Sequence, residues 1–250
     1  MKKPSFVALL YRECLLIKKS LLIGGIGALI FILFSVLVLL SFRFGNLKLI
    51  MPEEAMSGSI DIIKLLPVMA ASMFSMLPSE AATKDITKPV WDYFRRSTQV
   101  SPIRLALAKT VMNVIGMAIS LIISIPLTYI IAYAEGATVT ANDIGLSILF
   151  VAFMTLMSVI FGATIYLFKS VDKGGLAMVG FMLATVFGFM GPIMGELTAL
   201  PPNHPERDAI LEAHIDKLVT NVSPLAPVIL IGVILLQFAL LLFIFKRREK

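Results

Sequence analysis

The sequence predicts an all-α membrane protein with six transmembrane helices. Hydrophobic residues make up 58% of the 250 residues and charged residues only 15%, whereas a soluble domain carries about 25% charged residues. The apolar residues are gathered in long runs, and about 20 such residues cross a bilayer as a helix. So little polar surface would not cover a globule in water, and we therefore expect lipid around most of the chain.

Six apolar runs give the predicted spans, with polar links between them. They cover residues 21–42, 60–77, 103–133, 144–168, 176–200 and 228–245. Ser101 followed by Pro102 predicts the capped beginning of the third span, and Pro126 predicts a kink near its other end. In the fifth span, Gly191 followed by Pro192 predicts a break or a kink. Small residues predict close helix packing on the first and fifth spans. They are Gly24, Gly27, Gly180, Ala184 and Gly188.

Polar and amphipathic segments flank the spans. Residues 1–20 predict a cytoplasmic interfacial helix, because their basic residues suit anionic lipid headgroups; a plain charged flank that only sets topology is the alternative. Residues 169–175 predict a tight polar turn. The segment before the last span predicts a short external amphipathic helix with Ile215 and Leu218 on its apolar face. Residues 246–250 form a basic tail, which we expect in the cytoplasm.

The distribution of basic residues predicts the orientation in the membrane. Seventeen lysines and arginines lie on the side of both termini and of the link after span two, against five on the other side. Basic residues mark the cytoplasmic face of a membrane protein, so both termini are expected in the cytoplasm. The net charge of +6 then reflects membrane topology and does not indicate nucleic-acid binding.

No catalytic or metal-binding pattern is evident in the sequence. It has no P-loop, its two histidines are not at ligand spacing with a carboxylate, and its single cysteine, Cys14, excludes an internal disulfide. We therefore expect no catalytic residue, no metal and no cofactor in this chain.

The polar residues near mid-span indicate where energy would enter. They are hydroxyl and amide side chains, which carry no proton at working pH, and the deepest carboxylate, Glu196, lies near the outer end of span five. A proton-coupled transporter would be expected to place an acid or a histidine near mid-membrane. Energy for uphill transport would therefore enter from outside the membrane.

One long polar segment, residues 78–102, separates spans two and three. It holds the only tryptophan beside two other aromatic residues, and aromatic residues exposed together form an apolar patch suited to a partner. Thr87 and Pro89 predict the beginning of a cytoplasmic coupling helix that ends near Arg96. A solvated linker is the alternative. The residues expected to contact an energy-supplying protein are Trp91, Asp92, Tyr93, Phe94, Arg95 and Arg96.

Three short elements carry a resemblance to a known family. They are Trp91-Asp92-Tyr93, Ser97-Thr98-Gln99-Val100-Ser101 and Ala108-Lys109. With them, the chain resembles the permease subunits of ABC-2-type transporters, whose link between spans two and three has a similar pattern and whose six-span layout is also similar. Gln99 and Pro102 depart from that pattern, because proline and arginine are common at these two places.

The resemblance implies the function and the partners. It implies one half of an exporter in the bacterial plasma membrane, similar to the peptide-toxin exporters of Gram-positive bacteria. A cytoplasmic ATPase would bind ATP and magnesium, grip the polar segment and touch the N-terminal helix. A second permease copy or a paralogue would pack around spans one, two and five. An intramembrane enzyme and a secondary transporter or channel are the alternatives.

The spans favour an amphipathic or hydrophobic cargo, such as a membrane-active peptide, a lipid-like molecule or a drug. Methionine-rich surfaces adapt to varied apolar ligands, although methionine stripes at helical spacing also serve in packing. The ring of charge that a bare ion would need is not evident. The expected cargo path is lined by Met69, Met73, Met76, Ser120 and Ser124. The expected exit is formed by Gly191, Pro192, Glu196, Ile215 and Leu218.

Overall fold

The computed structural model describes residues 5–44, 65–88, 100–135, 137–198, 213, 216–217 and 219–247. Within these residues the chain forms helices joined by short turns, which confirms the all-α class. The helices are α1 (Phe6–Phe44), α2 (65–72), α3 (Leu77–Thr87), α4 (Pro102–Glu135), α5 (Ala141–Phe168), α6 (Val171–Thr198) and α7 (Ala226–Arg247), with 3-10 turns at Met73–Met76 and Ser223–Leu225. Among the described residues, five helical segments are long and apolar enough to cross a membrane, and α2 with α3 would add a sixth if that bent pair counts as one span.

Helix α1 is one uninterrupted helix of 39 residues. The Ala8 amide donates to Ser5 Oγ at 3.2 Å, which caps its first turn. No glycine or proline interrupts the helix before Gly24, so nothing in the sequence favours a break at the edge of the membrane. The described part of segment 1–20, for which we predicted a separate interfacial helix, is therefore continuous with the first span.

The segment predicted as the second span is bent. The helical stretch before Leu77 meets α3 at an angle of 42°, and Pro78, in the first turn of α3, lacks the N–H that would continue the preceding helix. Helix α3 then extends to Thr87, so the first part of the polar segment is helical. Ala81 and Ala82 of α3 are buried, which gives this short helix an inward face and explains why it packs on the bundle.

The junctions of the long helices follow local sequence signals. The Arg104 amide donates to Ser101 Oγ at 3.4 Å, which confirms the predicted cap of α4. Helix α5 ends at Phe168 and is followed by Lys169, which has a positive φ of 52°, and α6 begins at Val171. The turn between them is therefore shorter than the predicted turn at 169–175.

Two prolines lie inside long helices. Helix α4 contains Pro126, and α6 continues through Pro192 to Thr198. We predicted a break or a kink at Gly191 and Pro192; the helix is unbroken there, and the kink stays a prediction. A proline removes a single hydrogen bond, and a transmembrane helix tolerates that loss when neighbouring groups satisfy the freed carbonyl.

Helices α4 and α5 form the centre of the bundle. They run antiparallel, because Lys109 of α4 lies over Tyr166 of α5 at one end and Thr128 contacts Ser147 at the other. Helices α1, α3 and α7 pack around this pair, and α6 packs against α5. In the most apolar stretch of each helix, 44% of the residues are buried in α5, but only 11% in α1 and 6% in α6. The outer faces of α1 and α6 are therefore open to lipid or to another chain.

Candidate functional site

Four charged side chains meet inside the bundle at the end where α3 finishes and α4 begins, which we call the connection end. Arg12 Nη1 donates to Glu13 Oε1 at 3.0 Å, and Arg12 Nη2 pairs with Asp85 Oδ1. Lys109 Nζ lies 3.0 Å from Glu13 Oε2 and 2.6 Å from Asp85 Oδ2. We call these four residues the ion cluster, and they join α1, α3 and α4.

The ion cluster is buried and balanced in charge. The exposed fractions of the Arg12, Glu13, Asp85 and Lys109 side chains are 6%, 2%, 7% and 7%. Two cations face two anions, so the formal charges cancel. An unpaired ion at such a place incurs a desolvation penalty of several kcal/mol. Each member of the cluster therefore depends on the two oppositely charged members that it contacts.

Two aromatic residues extend the ion cluster to α5 and α7. Tyr166 Oη donates to Asp85 Oδ2 at 2.9 Å, and Lys109 Nζ lies 5.0 Å from the centroid of the Tyr166 ring. The Phe245 ring of α7 packs edge-on against Tyr166 with a centroid separation of 5.4 Å. Five of the described helices therefore converge on this place.

The cluster forms because charged residues occupy inward positions of their helices. Glu13 lies four residues after Leu9 and four before Ile17, and all three are buried, so they share one face of α1. Lys109 occupies an inward position of α4 in the same way. These two faces meet in the bundle, and Asp85 reaches them from α3.

The ion cluster was not predicted from the sequence. The basic residues of 1–20 were expected to face lipid headgroups, Glu13 and Asp85 were given no role, and Lys109 entered only the topology and the family resemblance. One signal was present in the sequence. Glu13 interrupts the apolar spacing from Leu9 to Ile17, and an ionised residue on such a face indicates a buried partner.

The ion cluster lies at the base of the connection between α3 and α4. Asp85 belongs to the last turn of α3, which ends at Thr87, and Lys109 lies about two turns into α4, which begins at Pro102. Their contact of 2.6 Å therefore fixes the two ends of the connection relative to each other. The predicted coupling helix from Pro89 to Arg96 and its contact residues, 91–96, lie in this connection and outside the described residues. The prediction that Thr87 caps this helix is wrong, because Thr87 is the last residue of α3 and its Oγ1 atom donates to the Thr83 carbonyl oxygen at 2.9 Å.

A line of buried polar side chains, which we call the polar seam, continues from the ion cluster along α4. Asn113 Nδ2 donates to Gln237 Oε1 of α7 at 2.6 Å, and further along Thr128 shares a hydrogen bond of 2.7 Å with a serine of α5. Ser120 and Ser124, predicted to line a cargo path, lie between these pairs and are both 0% exposed. Both serines therefore face packed protein in this conformation.

Two of the three predicted methionines border a groove of about 410 Å³ between α1 and α2. Met69 and Met73 line one wall, and Gly24 and Gly27 line the other, while Met76 is half-buried beyond them. An added Cβ at either glycine would meet nothing within 4 Å. The structure thus brings together residues that were predicted for two separate roles, cargo binding and helix packing.

The other residues predicted for packing and for the exit lie apart from the ion cluster, mostly along α6. The exposed ones are Gly180, Ala184, Gly188 and Gly191. An added Cβ at any of these three glycines would meet nothing within 4 Å, so this face has room for lipid or for another helix. The remaining exit residues have side chains outside the described part of the chain. They are Pro192, Glu196, Ile215 and Leu218.

In the part of the chain that the structure describes, no three histidine, cysteine, aspartate or glutamate side chains are placed to hold a metal ion. No family model, curated protein or solved structure matches this chain. We therefore infer its function from the residues and from their arrangement in the bundle.

Proposed function

We propose that the chain is the transmembrane permease subunit of an ATP-driven exporter of the ABC-2 type. It would lie in the bacterial plasma membrane with both termini in the cytoplasm and carry no catalytic site of its own. A separate cytoplasmic ATPase would bind ATP and magnesium and dock on the connection between α3 and α4. The observation that carries this proposal is the ion cluster, which ties both ends of that connection to the membrane helices.

The ion cluster would transmit a movement of the docked segment to several helices at once. Asp85 and Lys109 hold the two ends of the connection together, so α3 and α4 would move as a unit. Glu13 would carry the same movement to α1, the first span. Leaving one member of a buried ion pair without its partner costs about 3–5 kcal/mol. Movement of the helices as a unit would therefore cost less free energy than their separation.

The cargo that we propose is amphipathic or hydrophobic: a membrane-active peptide, a lipid-like molecule or a drug. The groove between α1 and α2 supports this choice, because its volume of about 410 Å³ falls within the range of ligand pockets, roughly 300–1,000 Å³. Its methionine wall would adapt to different apolar shapes. None of the residues that line the groove carries a charge, and an inorganic ion would need one.

A second copy of the chain, or a paralogue, would complete the transport path. The open faces of α1 and α6 support this part of the proposal, because small residues on both would let a neighbouring helix approach closely. On α1 those residues also border the groove. A groove between two chains would give the cargo a route out of the inner leaflet.

Co-purification with a candidate ATPase, followed by measurement of ATP hydrolysis and cargo export, tests the proposal. Trp91→Ala is expected to weaken ATPase binding and to uncouple export, because truncation of a buried aromatic anchor costs about 2 kcal/mol or more. Tyr129→Ala is the matched control, since Tyr129 is an exposed aromatic residue of α4 far from the connection. Normal binding and export in Trp91→Ala would contradict the proposal.

A secondary transporter is the second candidate, and the carboxylates of the ion cluster favour it. Glu13 and Asp85 are buried titratable groups of the kind that proton-driven transporters use. Export from proteoliposomes separates the two candidates. An ABC exporter predicts export that needs the ATPase and ATP and that survives collapse of the proton gradient. A secondary transporter predicts export that needs the proton gradient and that continues without the ATPase and ATP.

A further inference from the structure

A small cavity lies directly beside the ion cluster, between α1, α3, α4, α5 and α7. Its volume is about 30 Å³. Glu13, Lys109 and Tyr166 line it on the side of the cluster, while Ser158 of α5 and Gln237 of α7 line it further along the bundle. Polar groups from four helices therefore face one small, partly open space.

The size and polarity of the cavity favour water as the molecule that it binds. A water molecule needs about 10–15 Å³ of such volume and two to four polar partners, so this cavity has room for about two water molecules. Cavities that stay empty are apolar, and this one has charged and amide groups in its wall. A bare ion is disfavoured, because among the described residues the two cations and two anions of the cluster already balance and an added charge would have no counter-charge there.

Lys109, which lines the cavity, and Asn113, which bonds to the cavity-lining Gln237, both have groups that can form a further hydrogen bond. The Lys109 ammonium group has three hydrogens, and among the described residues two of them are taken up by Glu13 and Asp85. Asn113 donates to the cavity-lining Gln237, but its own Oδ1 atom is buried and has no hydrogen-bond partner in the described part of the chain. An ordered water molecule is one partner that can satisfy a buried polar atom of this kind.

We propose that this cavity is an internal water-binding site that joins the ion cluster to the Asn113–Gln237 pair. Lys109 donates its third hydrogen to the bound water, and the Gln237 amide nitrogen donates to it as well. The water donates its own two hydrogens to Asn113 Oδ1 and to the Ser158 hydroxyl oxygen. The water thereby extends the polar contacts of the cluster to α7, which contributes no charged residue to it. This inference is independent of the proposed transport function.

Hydroxyl-radical footprinting by X-ray radiolysis tests the site in the full chain in lipid nanodiscs. Radicals formed from a bound water oxidise the side chains beside it even when these are buried. Met112 lines the cavity, and Met117 packs in an apolar cluster away from it; their exposed fractions are 5% and 6%. We expect Met112 to be oxidised several-fold faster than Met117. Equal rates would overturn the proposal.

A variant that fills the cavity sharpens the test. An added Cβ at Gly162, which lines the cavity, would lie 3.7 Å from the nearest heavy atom, Ala82 Cβ, so Gly162→Ala fits without a clash. It is expected to lower the Met112 rate to that of Met117, whereas Gly232→Ala, in open space on α7, leaves it unchanged. A Met112 rate unaffected by Gly162→Ala would also overturn the proposal.

One sulfur contact needs a control in this experiment. Cys14 is exposed, and its Sγ atom lies 3.8 Å from Met112 Sδ, so the thiol offers a second route for oxidation of Met112. All variants are therefore compared in a Cys14→Ser background. A difference between Met112 and Met117 that disappears in this background would show that the thiol was its source, and would overturn the water site.

Discussion

The two ends of the bundle are held together by different chemistry. At the connection end, α1, α3 and α4 meet through the buried ion cluster. At the far end, α5 meets the turn before α7 through close packing, since an added Cβ at Gly145 would lie 2.5 Å from Ser223 Cβ, and Ser223 Oγ donates to Asn142 Oδ1 at 2.7 Å. The stability of the connection end therefore depends on ion pairs in which each buried charge keeps its opposite charge. The stability of the far end depends on the close fit of the backbone.

This difference has a consequence for how each end responds to change. A buried ion pair is weak evidence for stability while it is intact, but the loss of one partner leaves the other charge uncompensated. Close backbone packing has no charge to lose, and it fails only when volume is added. The connection end should thus be sensitive to charge removal and the far end to added bulk.

The largest expected effect is the loss of one carboxylate from the ion cluster. Glu13→Gln keeps the shape of the side chain but removes one of the two carboxylates that the described residues bring to Arg12 and Lys109, and we expect a loss of about 3–5 kcal/mol in the free energy of unfolding. Glu80→Gln is the matched control, because Glu80 pairs with Lys84 at the bundle surface and is 36% exposed; its effect should stay within about 1 kcal/mol. Unfolding by titration with a denaturing detergent measures both. Equal effects of the two changes would contradict the comparison.

A smaller loss is expected from added bulk at the far end. Gly145→Ala would force the new methyl group against the backbone of Ser223, whose carbonyl oxygen would lie 2.8 Å from the added Cβ, and overpacking of this kind costs about 1–3 kcal/mol. Gly232→Ala, which has open space around it, should change the free energy of unfolding little. The same detergent titration measures both. If Gly145→Ala proves as stable as Gly232→Ala, the far end does not depend on close packing.

The smallest expected effect concerns the polar seam. Thr128→Val keeps the side-chain shape but removes the hydrogen bond of 2.7 Å to Ser147, and hydrogen bonds between transmembrane helices average about 0.6 kcal/mol. The free energy of unfolding should therefore fall by well under the loss expected at Glu13. Ser147→Ala removes the same hydrogen bond from the other side. A loss of unfolding free energy in either variant as large as that of Glu13→Gln would show that the polar seam is as sensitive to the loss of one partner as the ion cluster.

The sequence was informative wherever a local pattern decides the structure. Long apolar runs predicted the helices that can cross a membrane, and Ser101 before Pro102 predicted the beginning of α4, because a helix cap is a contact between residues close in the chain. The bend before α3 was missed although Pro78 marks it in the sequence. The turn at Lys169 was predicted too long because the apolar run of the next span begins only at Leu176, whereas α6 begins at Val171.

The ion cluster could not be predicted in the same way. Asp85 and Lys109 lie on opposite sides of the polar segment, and Glu13 belongs to a helix far away in the sequence. Only the packing of three helices brings their side chains within hydrogen-bonding distance. The spacing of Glu13 among apolar residues indicated that it needed a partner, but it could not identify which residue that partner was.

The central claim is that the ion pair between Asp85 and Lys109 couples the two ends of the connection, and a double-mutant cycle tests it most directly. The free energy of unfolding is measured for the wild type, Asp85→Asn, Lys109→Met and the double variant. Residues in direct contact show coupling energies of about 0.5–3 kcal/mol, so the double variant should be less destabilised than the sum of the two single variants. Losses that add within about 0.3–0.5 kcal/mol would contradict the claim, because they would mean that the two side chains do not depend on each other.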